Sequence, residues 1–293
     1  MAGAYQHALG SHLSRSEIMQ LFYLLADEYM GWTKTRVHLE PDYLIPIEKL
    51  SLFREALVRL LKHEPVEYIT GKSMFNGIEY FVNPGVLIPR PETEELCNMI
   101  VQDQSADKYK EVAALDIGTG SGCIAIDLKL RLPYARVTAV DNSEDALKTA
   151  GQNASRLGAE LSLTHLNVLD ASAHGKLGRF DIIVSNPPYV TAGERNVMKP
   201  NVLDFEPPDA IFVCDDDPFI FYRSIVTLAI HHLNRPGRIY LEINERFGKE
   251  IAKILRDSGF DKVEIVRDIF DKDRFVRASL VSRLEDISYW YGE

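Results

Sequence analysis

From residue 112 onward, the chain alternates between short apolar runs and longer segments with a helical spacing of apolar residues. This alternation predicts an α/β domain, in which helices join the parallel strands of an open sheet. The predicted helices are 122–131, 143–157, 218–232 and 246–257. The predicted strands are 112–117, 136–140, 160–166, 180–185, 238–243, 262–267 and 275–281. The last two strands have no helix between them, so we expect a mostly parallel sheet with an antiparallel end.

The first 72 residues have a different pattern, which predicts helices. Ser14 or Ser16 can cap one helix, and Pro46 suits the start of a second. Their apolar stripes are Ile18, Leu21, Phe22, Leu25 and Tyr29 in the first helix and Leu50, Phe53, Leu57, Leu60 and Leu61 in the second. We therefore expect a small N-terminal helical domain over residues 1–72.

A hairpin is predicted between these two parts of the chain. Asn76-Gly77, the strongest short signal for a hairpin turn, lies between Met74-Phe75 and the apolar run 78–82. The extended segment Val86–Glu94 then leads into a helix near 92–103. We expect residues 73–94 to form a hairpin and linker, and residues 95–293 to form the α/β domain.

Composition narrows the function further. The net charge of −10 argues against binding along a nucleic-acid backbone, which normally needs a basic surface. Cys97, Cys123 and Cys214 are far apart and form no C-x-x-C pair, so we expect no metal site and no disulfide. No apolar run approaches the roughly 18 residues of a membrane span, and the start lacks a signal-peptide pattern. We expect a reducing, cytoplasmic location and no membrane contact.

A glycine-rich turn, Gly118-Thr119-Gly120-Ser121-Gly122, follows the first predicted strand of the α/β domain. Such a turn brings backbone N–H groups close to a ligand, which is either a dinucleotide or S-adenosylmethionine in folds of this kind. The dinucleotide pattern would need a glycine at 123, where Cys123 stands. Asp141 ends the next strand and can accept hydrogen bonds from both ribose hydroxyls, which indicates a nucleoside without choosing between the two ligands.

Asn167-Val168 directly follows the third predicted strand, 160–166. A side chain at this point can contact an adenine amino group, and a solvated loop is the alternative. The five residues of the glycine-rich turn, Asp141, Asn167 and Val168 are therefore the candidate cofactor contacts.

The tetrapeptide Asn186-Pro187-Pro188-Tyr189 follows the apolar strand 180–185. Proline lacks an N–H and restrains the residue before it, so this turn offers acceptors rather than donors. The Asn186 side-chain oxygen and the Pro187 carbonyl can hold a planar –NH2 group, and the Tyr189 ring can pack over it. We expect these residues to position a nitrogen for alkylation, with Asn186, Pro187 and Tyr189 in the catalytic role and Pro188 beside them.

These segments resemble the HemK/PrmC-type protein-(glutamine-N5) methyltransferases of peptide-chain release factors. The resemblance runs from about Glu64 to Leu280 and is most specific in Leu87-Ile88-Pro89-Arg90-Pro91-Glu92-Thr93-Glu94 and in the helical N-terminal part. It also includes Glu64–Gly71, the Asp116–Gly122 turn, Asp141, Asn186–Tyr189 and Phe205-Glu206-Pro207. Many relatives have an acidic residue where Asn167 stands, which puts donor affinity in question.

The resemblance implies a class I methyltransferase domain, Rossmann-like with seven strands, that uses S-adenosyl-L-methionine and releases S-adenosyl-L-homocysteine. It implies that the substrate is the glutamine of the Gly-Gly-Gln motif in a class I release factor, the expected partner. It assigns contacts with the methyl donor to Gly118, Gly120, Gly122, Asp141 and Asn186. It assigns contacts with the glutamine to Asn186, Pro187 and Tyr189.

Two residues near these segments have two interpretations each. Arg90 either binds the incoming peptide or forms a structural ion pair with Glu92 or Glu94, and we count it as a candidate substrate contact. Glu206, in the long loop 190–217, either approaches the site or fixes that loop.

Three other functions are considered. An adenine-N6 or guanine-N2 nucleic-acid methyltransferase shares Asn-Pro-Pro-Tyr, but it would need base extrusion and a basic track. An NAD-dependent oxidoreductase is disfavoured by Cys123 and by that tetrapeptide. A binder of release factors without catalysis is disfavoured by the intact glycine-rich turn. In the preferred interpretation, the N-terminal helices dock the release factor and the α/β domain receives its glutamine.

Overall fold

The structure is a computed structural model that describes residues 1–105 and 110–280. The chain forms two compact units. The first consists of Met1–Lys72 together with Met198–Phe205, and the second contains the described residues of Ser73–Val197 and Glu206–Glu293. No helix within the described ranges is both long enough and apolar enough to cross a membrane.

The α-helices of the described residues are α1 (Ala2–Leu9), α2 (Arg15–Met30), α3 (Lys34–Leu39), α4 (Ile47–Leu61), α5 (Val66–Thr70), α6 (Pro91–Asp103), α7 (Cys123–Arg131), α8 (Glu144–Leu157), α9 (Pro200–Leu203), α10 (Pro208–Ile211), α11 (Ile220–His232) and α12 (Gly248–Asp257). The strands are β1 (Lys72–Phe75), β2 (Ile78–Phe81), β3 (Ala113–Ile117), β4 (Arg136–Asp141), β5 (Leu161–His165), β6 (Phe180–Ser185), β7 (Leu233–Glu242), β8 (Asp261–Arg267) and β9 (Asp273–Leu280).

The first unit is a helical bundle with its own apolar core. Ile18, Phe22 and Leu25 from α2 pack in one cluster with Phe53 from α4. The Tyr5 hydroxyl, buried in the same cluster, donates to the Phe53 carbonyl at 2.6 Å. The two predicted helices are therefore present, whereas the short helices α1, α3 and α5 were not expected from the sequence.

Ser14 rather than Ser16 caps α2. The Glu17 N–H donates to the Ser14 hydroxyl at 3.3 Å, and the Ser14 N–H donates to the Glu17 carboxylate at 2.8 Å. This reciprocal capping box satisfies two N–H groups at the start of the helix that have no partner within it.

The second unit is built on a seven-stranded sheet in the order β5-β4-β3-β6-β7-β9-β8. Neighbouring strands from β5 to β7 are parallel, and β9 pairs antiparallel with both β7 and β8. The predicted fold, with its antiparallel end, is confirmed. A separate two-stranded hairpin joins β1 to β2 around Asn76-Gly77, where both residues have positive φ.

The strand boundaries differ from the predicted ones at one notable point. β7 begins at Leu233 and not at residue 238. Phe180 of β6 pairs with Leu233, whereas Ile182 pairs with Arg238, so a bulge accommodates residues 234–237. A bulge has no hydrophobic pattern of its own, which explains why the sequence indicated only the part after it. Val281, the last residue of the seventh predicted strand, lies outside the described residues.

Both faces of the sheet are covered by apolar core. Leu115 and Ile183 face one cluster, which includes α11, and Ala114 and Ile182 face the other, which includes α6 and α7. The sequences of parallel strands that are buried on both faces are continuous apolar runs. Asp116 lies in such a run and is fully buried, so its carboxylate needs a specific reason to be there.

The two serines at the start of α2 provide a matched test of the cap. Ser14→Ala should lower the free energy of unfolding of the N-terminal unit by about 1 kcal/mol, since one N–H group of α2 loses its acceptor. Ser16→Ala should have little effect, because alanine favours the helix interior. Urea denaturation monitored on the N-terminal helices measures both, and equal losses in the two variants would contradict the assignment of the cap.

Candidate active site

Side chains from four neighbouring parallel strands meet at one edge of the sheet, where these strands end. The glycine-rich turn follows β3, Asp141 ends β4, Asn186 follows β6 and Glu242 ends β7. Ligands bind at this carboxyl edge in open α/β sheets. The sheet therefore brings most of the predicted site residues to one place.

The glycine-rich turn is held against the end of β4. The N–H groups of Gly118 and Thr119 donate to the Val140 carbonyl at 2.9 and 3.1 Å. Gly118, Gly120 and Gly122 have φ values of 75°, 54° and 83°, a region that costs other residues free energy. A Cβ added at Gly118 or Gly120 would meet no atom within 4 Å, so these positions border open space in which a ligand can lie.

Asp141 connects this turn to the start of α8. One carboxylate oxygen accepts from the Gly120 N–H and the other from the Ser143 N–H, both at 2.9 Å. Burial raises the pKa of Asp141 above its usual value, although these two bonds lower it. Each carboxylate oxygen can accept a further bond, so Asp141 can still receive ribose hydroxyls.

Asp116 is buried beneath the turn with one of its two oxygens unpaired. The Thr119 hydroxyl donates to Oδ2 at 2.7 Å, while Oδ1 has no partner among the described residues. Burial raises the pKa of Asp116 to about 7, and the Thr119 hydrogen bond opposes that shift. An unpaired carboxylate oxygen next to a ligand-binding turn suits a cationic group of the ligand.

Asn167 and Val168 follow β5 and play different parts. The Asn167 side chain is exposed, and its Oδ1 accepts from the Leu169 N–H at 2.9 Å. Val168 is buried, and the Ser224 hydroxyl donates to its carbonyl at 2.9 Å. Asn167 thus makes a local turn, and its contact with an adenine ring stays a prediction.

The orientation of Asn186 is set by a chain of three polar side chains. Asn186 Nδ2 donates to the Thr93 hydroxyl at 3.2 Å, and that hydroxyl donates to Glu242 Oε2 at 2.7 Å. Thr93 and Glu242 are both buried. Within residues 1–105 and 110–280, no donor lies within hydrogen-bond distance of Asn186 Oδ1 or of the Pro187 carbonyl. The turn therefore keeps two acceptors without a donor among these residues, and their contact with a substrate amide stays a prediction.

Tyr189 is attached to the same carboxylate. Its hydroxyl donates to Glu242 Oε1 at 3.2 Å, and its ring packs against the core beside α11. Burial and the charge of Glu242 raise the pKa of the Tyr189 hydroxyl well above its usual value, so the phenol stays neutral. The Asn244 amide donates to the Tyr189 carbonyl at 3.4 Å and to Glu194 at 3.1 Å, which ties the end of the tetrapeptide to the loop after it.

Arg90 pairs with Glu206 and not with Glu92 or Glu94. The Arg90 Nη2 atom lies 2.6 Å from Glu206 Oε1, whose side chain is fully buried. The Ile88 N–H donates to Glu206 Oε2 at 3.4 Å. Glu206 therefore binds the segment before α6, and its approach to the site or its fixing of the loop 190–217 stays a prediction. Arg90 remains half-exposed, and its contact with a substrate stays a prediction.

Two regions of the chain match known family models. Residues 7–71 match the PrmC N-terminal domain, and residues 96–202 match the methyltransferase small domain. The chain is 38% identical over 276 residues to the release factor glutamine methyltransferase of Flavobacterium psychrophilum, with 94% of this chain and 96% of the relative covered. It is 41% identical over 264 residues to that of Bacteroides thetaiotaomicron, with 90% and 93% covered.

The chain belongs to the release factor glutamine methyltransferase family. The resemblance inferred from the sequence is thereby confirmed. A methyltransferase from Pyrococcus furiosus with a known crystal structure aligns with a TM-score of 0.51 and 19% identity, over 71% of this chain and 91% of that one. At this identity the likeness concerns the fold alone, and it agrees with the class I methyltransferase sheet.

Two polar residues of the site in this member of the release factor glutamine methyltransferase family were not predicted from the sequence. Thr93 lies within the Leu87–Glu94 segment that carries the resemblance, yet its side chain received no role. Glu242 lies in the predicted strand 238–243, and a carboxylate in an otherwise apolar strand was the available signal. The partnership between the two spans 149 positions in the chain, which no local pattern reveals.

The glycines of the turn should differ in their tolerance of a side chain. Gly118→Ala should lower the free energy of unfolding by about 1–2 kcal/mol, because only the left-handed backbone conformation disfavours alanine there. Gly122→Ala should lower the free energy of unfolding by about 1–3 kcal/mol more than Gly118→Ala does, because its Cβ would lie 3.0 Å from the Ala150 Cβ of α8. Urea unfolding of the two variants measures the difference, and equal stabilities would contradict the packing described for Gly122.

Proposed function

We propose that this protein transfers a methyl group from S-adenosyl-L-methionine to the side-chain amide nitrogen, N5, of the glutamine in the Gly-Gly-Gln motif of peptide-chain release factors. Membership of the family supports the substrate class. The observation that carries the chemistry is the pair of free acceptors at Asn186 Oδ1 and the Pro187 carbonyl, since the Asn186 amide is turned by its bond to Thr93. Two acceptors suit the two N–H groups of a primary amide.

The carboxyl edge of the sheet fits the methyl donor. Open space beside Gly118 and Gly120 can admit it, and Asp141 can accept from the hydroxyls of its ribose. The unpaired oxygen of Asp116 suits an ammonium group, and Val168 supplies a buried apolar wall next to Asn167. S-adenosyl-L-methionine, when bound, supplies a methyl group on a positively charged sulfur.

The remaining contribution of the protein is to position the nucleophile. An amide nitrogen is a poor nucleophile, because its lone pair is delocalised into the carbonyl group. Acceptors on both hydrogens return electron density to the nitrogen and restrict its orientation, which lowers the barrier to an in-line displacement. The partly buried Tyr189 ring can pack over the flat amide and exclude water.

A nucleic-acid methyltransferase is the alternative that the tetrapeptide alone would permit. The net charge of −10 opposes broad contact with phosphates, and the curated relatives named above are described as acting on release factors. We therefore favour a protein substrate without direct nucleic-acid binding, and a cytoplasmic location where translation factors are found.

The N-terminal helical unit is proposed to dock the body of the release factor. Four apolar residues from the end of α3 to the start of α4 are exposed, namely Leu39, Tyr43, Leu44 and Ile47, with Leu44 exposed to 89% and Ile47 to 84%. Groups of strongly exposed apolar side chains are typical of surfaces that bind another protein. The match of residues 7–71 to the PrmC N-terminal domain supports a role in this family.

Replacing the central acceptor tests the proposed reaction. Asn186→Ala should lower the rate of methyl transfer to a recombinant release factor by about 10²- to 10³-fold, comparable to the loss of one preorganised polar group in other active sites. A tritiated-methyl assay measures the rate, and circular dichroism confirms that the variant is folded. Asn98→Ala, which changes an exposed asparagine of α6 outside the candidate site, is the control and should retain most activity.

The same assay separates the proposed substrate from nucleic acids. Wild-type protein is incubated with release factor, with DNA and with ribosomal RNA in parallel. Incorporation into the release factor supports the proposal, whereas incorporation into nucleic acid alone would overturn it. Unchanged turnover in Asn186→Ala would reject the role of the acceptor.

Charged substitutions on the exposed N-terminal segment test docking. Leu44→Glu combined with Ile47→Glu should raise KM for intact release factor by about tenfold, the equivalent of 1.4 kcal/mol of contact. The rate on a short Gly-Gly-Gln peptide should not change, because the peptide lacks the body of the release factor that this segment is proposed to contact. If KM for the intact factor stays the same, the segment is not the docking surface.

A further inference from the structure

Glu242 is a buried carboxylate whose two oxygens are both used by the site. Oε2 accepts from the Thr93 hydroxyl at 2.7 Å, and Oε1 accepts from the Tyr189 hydroxyl at 3.2 Å. The backbone carbonyl of Glu242 also accepts from the Tyr222 hydroxyl at 3.1 Å. Glu242 thus contacts the partner of Asn186 and the aromatic residue of the tetrapeptide, without occupying the open edge of the site.

The direction of the hydrogen bonds from Asn186 through Thr93 to Glu242 follows from the number of protons that each group can donate. A threonine hydroxyl has one proton to donate, and in the structure Thr93 donates it to Glu242. Thr93 can then only accept from Asn186, so it selects the NH2 end of the amide. The carbonyl end of Asn186 must face the other way. If the amide turned by half a rotation, the site would present a donor where the substrate needs an acceptor.

We propose that Glu242 is a positioning residue that, through Thr93, determines which end of the Asn186 amide faces the substrate. The identity of the substrate rests on the proposed function, whereas the hydrogen-bond polarity can be tested in the free protein. Tyr189 is held by the same carboxylate, so one ionised group aligns both the acceptor and the ring that packs beside it.

This role requires Glu242 to be ionised. Burial raises the pKa of Glu242 to about 7, and the charge of Glu92 on α6 acts in the same direction. The hydrogen bonds from Thr93 and Tyr189 lower it, as does Arg274 on β9. The Tyr222 hydroxyl on α11 donates to the backbone carbonyl of Glu242, and burial together with the charge of Glu242 raises the pKa of Tyr222.

Protonation of Glu242 removes the fixed direction of these hydrogen bonds. A neutral carboxyl carries an O–H donor, so its partners no longer both have to donate to it. The Thr93 proton is then free to point at Asn186 Oδ1, and the amide can turn. Because the folded-state pKa lies above the usual value, the ionised and active form is lost as the pH falls through about 7.

Substitutions at Thr93 separate polarity from shape. Thr93→Val keeps the volume and removes the hydroxyl, so kcat on release factor should fall about tenfold, the size expected for one net hydrogen bond. Its KM and its calorimetric affinity for S-adenosylhomocysteine should stay within about twofold. Thr93→Ser restores the hydroxyl and should recover most of kcat. Equal losses in the valine and serine variants would overturn the proposal.

The pH profile tests the carboxylate directly. At saturating S-adenosyl-L-methionine, whose ammonium group keeps Asp116 ionised, kcat of the wild type should fall tenfold per pH unit on the acid side of about 7, as expected for loss of one ionised group at Glu242. Glu242→Gln should lack this acid limb and be less active at pH 8. A variant with wild-type activity, or one that keeps the same acid limb, would overturn the role of Glu242.

A spectroscopic measurement distinguishes failure of this inference from failure of the proposed function. The side-chain NH2 signal of Asn186 is assigned in ¹⁵N-asparagine-labelled, substrate-free protein by its absence in Asn186→Ala. It should shift with pH near 7 in the wild type, and this titration should be absent in Thr93→Val. A titration in the wild type supports the hydrogen-bond chain even if no release factor is methylated, whereas a pH-independent signal overturns it.

Discussion

The hydrogen bonds that join Glu242, Thr93 and Asn186 give the active site its chemical polarity. An amide side chain is symmetric in shape but not in chemistry, since one end donates and the other accepts. Packing alone cannot choose between the two ends. In this protein the choice is made by the Glu242 carboxylate, which acts through Thr93, and the orientation of Asn186 Oδ1 follows from it.

The site carries a cost in buried charge, which the fold offsets in different ways. Glu206 is paired with Arg90, and Glu242 accepts from two hydroxyls. Asp116 accepts from the Thr119 hydroxyl, and its Oδ1 has no partner in the part of the chain that the structure describes. A buried carboxylate with incomplete partners is destabilising in the free protein. Binding of a cationic ligand group would supply the missing partner, so we interpret Asp116 as a group that favours the ligand-bound state.

Much of the fold and part of the site can be predicted from the sequence for clear physical reasons. The alternation of strand and helix patterns specifies the parallel sheet, and the ends of β3, β4 and β6 bring the glycine-rich turn, Asp141 and Asn186 to one edge. These signals are local in the chain. The bulge at 234–237, the pairing of Arg90 with Glu206 and the contact of Thr93 with Glu242 depend on tertiary packing between distant residues.

A crystal structure with S-adenosylhomocysteine and a Gly-Gly-Gln peptide would test the central claim most directly. The claim is that the tetrapeptide holds a glutamine amide by its two hydrogens. The account predicts that the glutamine side-chain nitrogen lies within hydrogen-bond distance of both Asn186 Oδ1 and the Pro187 carbonyl, with Asn186 still bonded to Thr93. A glutamine bound away from these acceptors, or an Asn186 amide that has left Thr93, would contradict it.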